Sequence, residues 1–272
     1  MINLLEAFKN EDGFTKKKFG QHFLTNQSIL NKIIESAEIT ENDNVIEIGP
    51  GCGVLTQLIA DTKANTLALE IDETLMEFLN RYLFFYTNLK IINQDAATVD
   101  YDMLFNGEKV IIIGNLPYNV SVRIFEKAAM RNNIKNMVFM FQKEVADRII
   151  AKPNSKTYTS LSVFAAYMFD TYKIKDISGA NFWPNANVFS TVLKFVPKNN
   201  RCFTGKQEDT FFKFLRMAFK QKRKTLKNNL QEINDISHLL SLAGLTNTSR
   251  AEELSLEKFK ELFNIIYEKH TF

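Results

Sequence analysis

The segment Val45-Ile46-Glu47-Ile48-Gly49-Pro50-Gly51-Cys52-Gly53 limits the folds open to this chain more than any other. A β-branched, mainly apolar run enters a turn with glycine at every second position. Such a strand is buried on both faces, as happens inside a parallel sheet covered by helices. Glycines in that turn let the backbone come within contact distance of a ligand, because a Cβ there would occupy the ligand's space. Taken alone, the turn fits a tight strand-to-helix corner as well as a cofactor site. Its Gly-x-Gly-x-Gly spacing also departs from the Gly-x-Gly-x-x-Gly dinucleotide fingerprint, which speaks against a nicotinamide dehydrogenase.

The strand signal recurs. Asn44 to Ile48, Thr66 to Glu70, Lys90 to Asn93, Val110 to Gly114 and Met137 to Phe141 read as strands. Helical spacing fills Val54 to Ala60, Glu73 to Phe84, Val122 to Ala129 and Glu144 to Ile150 between and after them. Tyr172 to Ile177 and Val188 to Val196 read as two further strands, antiparallel because a short connection joins them. This alternation predicts an α/β, doubly wound, Rossmann-like domain. After Pro197-Lys198-Asn199-Asn200 the periodicity is purely helical, ending in a helix from Ser255 to Tyr267 with Ser255 as N-cap. The expected organisation is a catalytic domain over 1–198 and a small all-helical domain over 199–272.

The 272 residues are 45% hydrophobic and 24% charged, enough apolar material for a full core, which excludes disordered and low-complexity classes. Cys52 and Cys202 are far apart with no ligand spacing around them, and His22, His238 and His270 are scattered. Neither a disulfide framework nor a metal site is expected. No run of 18 apolar residues and no leader-like N-terminus is present, so the expectation is a cytoplasmic protein without a membrane segment.

Two carboxylates follow the glycine turn. Glu70 ends the second strand about 20 residues on, where a carboxylate accepts both hydroxyls of a ribose. Asp95, after the third, can accept from an adenine amine. Acids at two successive strand ends favour an adenosine-containing ligand, and no Gly-Lys-Ser/Thr follows the glycines to suit a phosphate. Gly114-Asn115-Leu116-Pro117-Tyr118-Asn119 closes the fourth strand at the carboxyl edge. An adenine amine is a poor nucleophile because its lone pair is delocalised into the ring. The Asn115 side-chain oxygen and the Leu116 carbonyl could hold its hydrogens and direct that lone pair at an electrophile. Pro117 keeps Leu116 extended, and Tyr118 can stack on the base.

These residues carry a resemblance. Lys18-Phe19-Gly20-Gln21-His22-Phe23-Leu24, Glu47-Ile48-Gly49-Pro50-Gly51, Asn115-Leu116-Pro117-Tyr118-Asn119, Gln142-Lys143-Glu144-Val145, Pro153-Asn154-Ser155-Lys156, Arg223-Lys224-Thr225-Leu226-Lys227-Asn228 and Arg250-Ala251-Glu252 occur in the order found in one family. The chain resembles the S-adenosylmethionine-dependent ribosomal RNA adenine dimethyltransferases, most of all the KsgA-like small-subunit group. The resemblance implies that His22 and Leu24 touch the cofactor, that Gly49 and Gly51 approach its methionine part, and that Glu70 holds its ribose. Asp95 would bind its adenine, Asn115 both cofactor and target amine, and Phe182 would form a second aromatic wall beside the flipped base. Family members often carry Asp where Phe189 stands, and their proline run after Phe182 is here reduced to Pro184.

Between Thr210 and Gln231 stand seven cations, Lys213, Arg216, Lys220, Lys222, Arg223, Lys224 and Lys227, and no acid. They exceed the +3 net charge of the whole chain, so the remainder is acidic by four. Read as one helix, they form a stripe suited to phosphates, with Lys16-Lys17-Lys18 adding contacts near the cofactor. The resemblance implies a monomer that binds the small ribosomal subunit and dimethylates two adjacent adenines in the 3′-terminal hairpin of 16S-type ribosomal RNA. The alternatives are a large-subunit adenine methyltransferase of the macrolide-resistance type and an assembly checkpoint factor without turnover.

Overall fold

The computed structural model describes residues 3–11 and 21–269. The lysines at 16–18, the first three residues of the opening motif and His270 lie outside them. The described chain divides into two compact units, residues 1–146 with 172–197, and residues 147–171 with 198–272.

The first unit is built on β2 (Asn44–Ile48), β3 (Asn65–Glu70), β4 (Leu89–Asn93), β5 (Val110–Asn115) and β6 (Ile134–Gln142), all parallel, with β9 (Ser190–Pro197) antiparallel to β6. Together with β7 (Phe169–Ile177) the sheet order is β4-β3-β2-β5-β6-β9-β7. The order reverses between β2 and β5, and the crevice outside their carboxyl ends is where open α/β sheets bind ligands. Val110 to Ile113 are at most 1% exposed, as an all-apolar central strand requires.

On one face, α2 (Gln27–Ala37) and α3 (Val54–Asp61) bury Ile29, Leu30, Ile33, Leu55 and Ile59 against Val45, Ile111 and Val138. The Asn26 side chain caps α2 by accepting the Ile29 N–H at 3.2 Å. Opposite, Phe125 of α5 (Ser121–Ala129) packs on Phe141 and Phe195 at ring-centroid distances of 5.8 and 4.7 Å. The short α1 (Leu4–Asn10) joins Phe8 to Phe23 and to Phe78 of α4 (Glu73–Leu83). A second, two-stranded sheet pairs β1 (Phe23–Leu24) with β8 (Phe182–Trp183), Leu24 opposite Phe182 and Phe23 opposite Trp183.

The second unit differs from the linear reading in two ways. The chain does change unit at Pro197–Lys198, but residues 147–171 already belong to the helical unit. They end α6 (Lys143–Ile149) and contain α7 (Ser160–Met168), whose Tyr167 contacts Phe203, Phe211 and Phe212. α7 is apolar on nearly all sides, so it has no polar stripe by which to be recognised. The basic segment is also not one helix. Of the seven cations, α8 (Lys206–Ala218) carries only Lys213 and Arg216, and Lys227 lies on the short α9 (Leu226–Asn229). Lys220, Lys222, Arg223 and Lys224 occupy the turn between them. Buried Asn229 sets that turn. Its Nδ2 donates to Ala218 O at 2.7 Å and to Gln221 O at 3.2 Å, while its Oδ1 accepts the Gln221 N–H at 3.1 Å. These bonds satisfy backbone groups that a continuing helix would have paired. The unit is completed by α10 (Ile236–Leu242) and by α11 (Leu256–Lys269), at whose start the Ser255 hydroxyl accepts the Lys258 N–H at 3.2 Å.

Candidate active site

At the carboxyl ends of β2, β3 and β5 lies an open cleft of about 990 Å³, counting its mouth. Gly49, Gly51, Glu70, Asp95, Asn115, Leu116, Pro117, Tyr118 and His22, named from the sequence, all line it. Leu24 and Phe182 do not. They are 6% and 2% exposed and face each other across β1 and β8 inside the core beneath the cleft. Because side chains alternate along a strand, burying Leu24 turns its neighbour Phe23 toward the cleft wall. Phe182 is therefore, in this structure, a support for β1 and not an aromatic wall of the cleft. Phe23, Gln21, Ile71 and Gln94 line it as well and were not read from sequence. Ile71, 45% exposed directly after Glu70, carried the one available signal, a large apolar residue left outside at a strand end.

The glycine turn follows from sterics. Gly49 and Gly51 sit at φ of +66° and +59°, where L side chains are strained. A Cβ on Gly51 would come within 2.7 Å of the Phe23 ring. Gly114 brings β5 close to β2, and its Cβ would stand 2.5 Å from Ile48 O. The turn thus presents bare backbone to the cleft floor.

Glu70 is 5% exposed. Its Oε2 accepts the Gly51 N–H at 3.3 Å and its Oε1 the Asp72 N–H at 2.9 Å, so the carboxyl is fixed against the turn. Burial pushes its pKa up to about 7, against those two bonds, with the Asp72 charge adding to the rise. Asp95 uses Oδ1 to accept the Ala97 N–H at 2.8 Å. Next to the cleft, Glu47 is 1% exposed, and among the described residues its carboxyl oxygens have only the neighbouring Thr56 hydroxyl to set against the loss of water. Burial raises its pKa to about 8, so it is mainly neutral at pH 7.

Asn115 ends β5, and its Nδ2 donates to His22 O at 2.9 Å. That bond fixes which end of the amide is committed to the protein and leaves Oδ1 as an acceptor. Leu116 is held by its N–H to Met140 O at 3.3 Å before Pro117. The Tyr118 hydroxyl lies 2.8 Å from Ser190 Oγ, and burial keeps the phenol neutral by raising its pKa. The His22 ring runs nearly parallel to that of Tyr118, at 22° and 6.2 Å between centroids. Its Nδ1 donates to Pro184 O at 2.9 Å.

The donor set fits an adenosyl sulfonium cofactor. Bare glycine backbone admits a close ligand, a fixed carboxyl meets a diol, and an acid and an apolar side chain stand where an adenine would lie. Comparison with known proteins decides the matter. The family described as ribosomal RNA adenine dimethylase matches residues 14–268. This chain belongs to that family. It is therefore an S-adenosylmethionine-dependent ribosomal RNA adenine dimethyltransferase. Ribosomal RNA small subunit methyltransferase A of Lachnoclostridium phytofermentans is 40% identical, over 93% of this chain and 92% of that protein. Its counterpart from a Sulfurihydrogenibium species is 37% identical, over 92% and 96%. Among solved structures, a dimethyladenosine transferase from Plasmodium falciparum superimposes with a TM-score of 0.76 at 26% identity, covering 91% of this chain and 98% of that one. The 23S rRNA methyltransferase ErmE shares the fold, with a TM-score of 0.71 at 20% identity, covering 90% and 99%.

Within the helical unit, segments far apart in this dimethylase sequence converge. Asn154 N–H donates to Glu252 O at 2.8 Å, Leu226 N–H to Ser249 O at 2.8 Å, and the Lys222 ammonium reaches Lys156 O. A depression there is lined by Lys156, Lys222, Arg223 and Arg250 together with the acids Glu252 and Glu253. All seven cations of the basic segment are exposed, and among the described residues Lys220 alone of them forms an ion pair, with Glu232 at 3.8 Å. No helix among the described residues is long and apolar enough to cross a membrane.

Proposed function

We propose that this dimethylase acts on the small ribosomal subunit, modifying the exocyclic amines of two adjacent adenines in the 3′-terminal hairpin of its RNA during subunit biogenesis. It works as a monomer in the cytoplasm. The observation that carries the reading is Asn115, at the switch point of the sheet, with its Nδ2 committed to His22 O and its oxygen left for a target amine. The names of the relatives at 36–40% identity support the small subunit as substrate.

Gly49 and Gly51 would take the methionine end of the cofactor, Glu70 the ribose hydroxyls, and Asp95 the adenine, with His22 and Ile71 flanking it. When bound, S-adenosylmethionine supplies an electrophilic methyl carbon on a sulfonium sulfur. The protein's part is alignment. Asn115 Oδ1 and the Leu116 carbonyl accept the hydrogens of the target amine and point its lone pair along the transfer axis. Tyr118, anchored through Ser190, stacks on the base, which has to leave its helix to enter the cleft. Leu24 and Phe182 hold β1 in register under His22. The exposed cations Lys213, Arg216, Lys220, Lys222, Arg223, Lys224 and Lys227 bind phosphates and position the enzyme without reading sequence.

The test is Asn115→Ala. Methyl transfer to unmodified small subunits is expected to fall at least a hundredfold, with subunit affinity within threefold of wild type. Turnover within threefold of wild type would refute the role given to Asn115.

A further inference from the structure

Phe189 is 58% exposed, although it directly precedes β9, a strand paired inside the sheet next to its edge. Its backbone is fixed. The carbonyl accepts the Lys143 N–H at 2.8 Å, and the next residue, Ser190, is in register with Gln142 of β6. The other strongly exposed phenylalanines, Phe84 and Phe85, contact each other at 5.7 Å between centroids, whereas no ring contact involves Phe189 among the described residues. A rigid backbone thus holds an aromatic face in water, where it adds nothing to the core.

The surroundings indicate what would cover it. Phe189 borders a shallow depression with Asn26, Ser28, Lys32, Lys175 and Asn181. Lys32 and Lys175 are exposed, and neither forms an ion pair among the described residues. The one acid there, Asp176, is already engaged, accepting from the Thr191 hydroxyl at 2.6 Å and pairing with Lys173 at 2.6 Å. An open π-face beside two available cations and several amide and hydroxyl groups matches one unpaired nucleotide, base on the ring and phosphate at the lysines. The location fits the same occupant. Antiparallel β9 begins at the edge where β5 and β6 end, and Ser190, adjacent to Phe189, anchors the Tyr118 hydroxyl.

We propose that Phe189, Lys32 and Lys175 form a stacking platform for a nucleotide flanking the target adenine, so that the RNA is held beside the base that enters the cleft. This rests on the small-subunit RNA reading above. The test uses the full chain, small subunits from cells lacking the modification, and a protein-free fragment of their RNA carrying the target adenines. Phe189→Ala is expected to raise KM for the subunit and Kd for the fragment about tenfold, within the range set by one base stacked on an aromatic ring. The kcat and the affinity for S-adenosylmethionine should stay within twofold, and Phe189→Trp should restore binding. The double variant Lys32→Ala, Lys175→Ala should flatten the dependence of log affinity on log salt by about 0.7 for each phosphate that is no longer neutralised. Unchanged KM in Phe189→Ala would overturn the platform. So would a weakening on whole subunits with unchanged fragment affinity, which would assign the ring to a protein surface. If the wild-type chain fails to methylate small subunits, the underlying reading falls; if it succeeds while Phe189→Ala is silent, only the platform does.

Discussion

Replacing Glu47 by glutamine isolates the titration of one buried carboxyl. In the folded protein burial holds the Glu47 pKa at about 8, against an ordinary value of 4.5. Between those values the folded chain retains a proton that the unfolded chain releases, so folding is disfavoured progressively as pH rises. The stabilising contribution of the neutral acid is fully present below about pH 4.5 and is lost as pH climbs through about 8. Over most of that window the folded chain holds about one proton more than the unfolded chain, so from pH 5.5 to 7.5 the wild type loses roughly 2–3 kcal/mol through this group. Glutamine has nearly the same shape and no proton to release. Glu70, with its own raised pKa, is present in both proteins and largely cancels in the difference. The assay is urea unfolding at pH 5.5, 6.5 and 7.5, followed by the fluorescence of Trp183, the single tryptophan, which packs on Phe23 in the catalytic unit. The stability of Glu47→Gln relative to wild type should grow by roughly 2–3 kcal/mol across that range. A difference that stays constant within about 0.5 kcal/mol would mean that Glu47 is ionised in the folded protein, and the reasoning would fail.

Two further substitutions probe the site and the RNA face. Gly51→Ala places a Cβ 2.7 Å from the Phe23 ring at a φ of +59° and is expected to cost about 1–3 kcal/mol of stability and to weaken S-adenosylmethionine binding at least tenfold; calorimetric titration reads the second effect. Asn229→Ala strips three hydrogen bonds from the Lys220–Thr225 turn. It should cost about 1–3 kcal/mol and reduce affinity for the subunit RNA, measured by filter binding, while leaving affinity for S-adenosylmethionine unchanged.

The parts of the fold that were legible in the sequence are those whose signal is local. β2 and β5 are apolar on both faces because both faces are covered, and the glycine turn, Glu70, Asp95 and Asn115 follow their strands at short range. What was not legible depends on residues that meet only in the folded chain. Phe182 looks like a free aromatic until β8 pairs with β1 and buries it against Leu24. The basic stripe has a helical period, but Asn229 closes a turn across it from eight residues away. α7 carries no periodicity because nearly all of its surface is buried, so its membership of the helical unit could not be seen from composition. Phe23 lines the cleft only because its neighbour Leu24 faces the core.

The choice of the small subunit as substrate is read out by incubating the protein with methyl-labelled S-adenosylmethionine and separated small and large ribosomal subunits that lack the modification, then digesting each RNA to nucleosides. Label is expected in small-subunit RNA, recovered as dimethyladenosine from two neighbouring positions near its 3′ end. Label confined to large-subunit RNA, or tight small-subunit binding without any transfer, would contradict that choice.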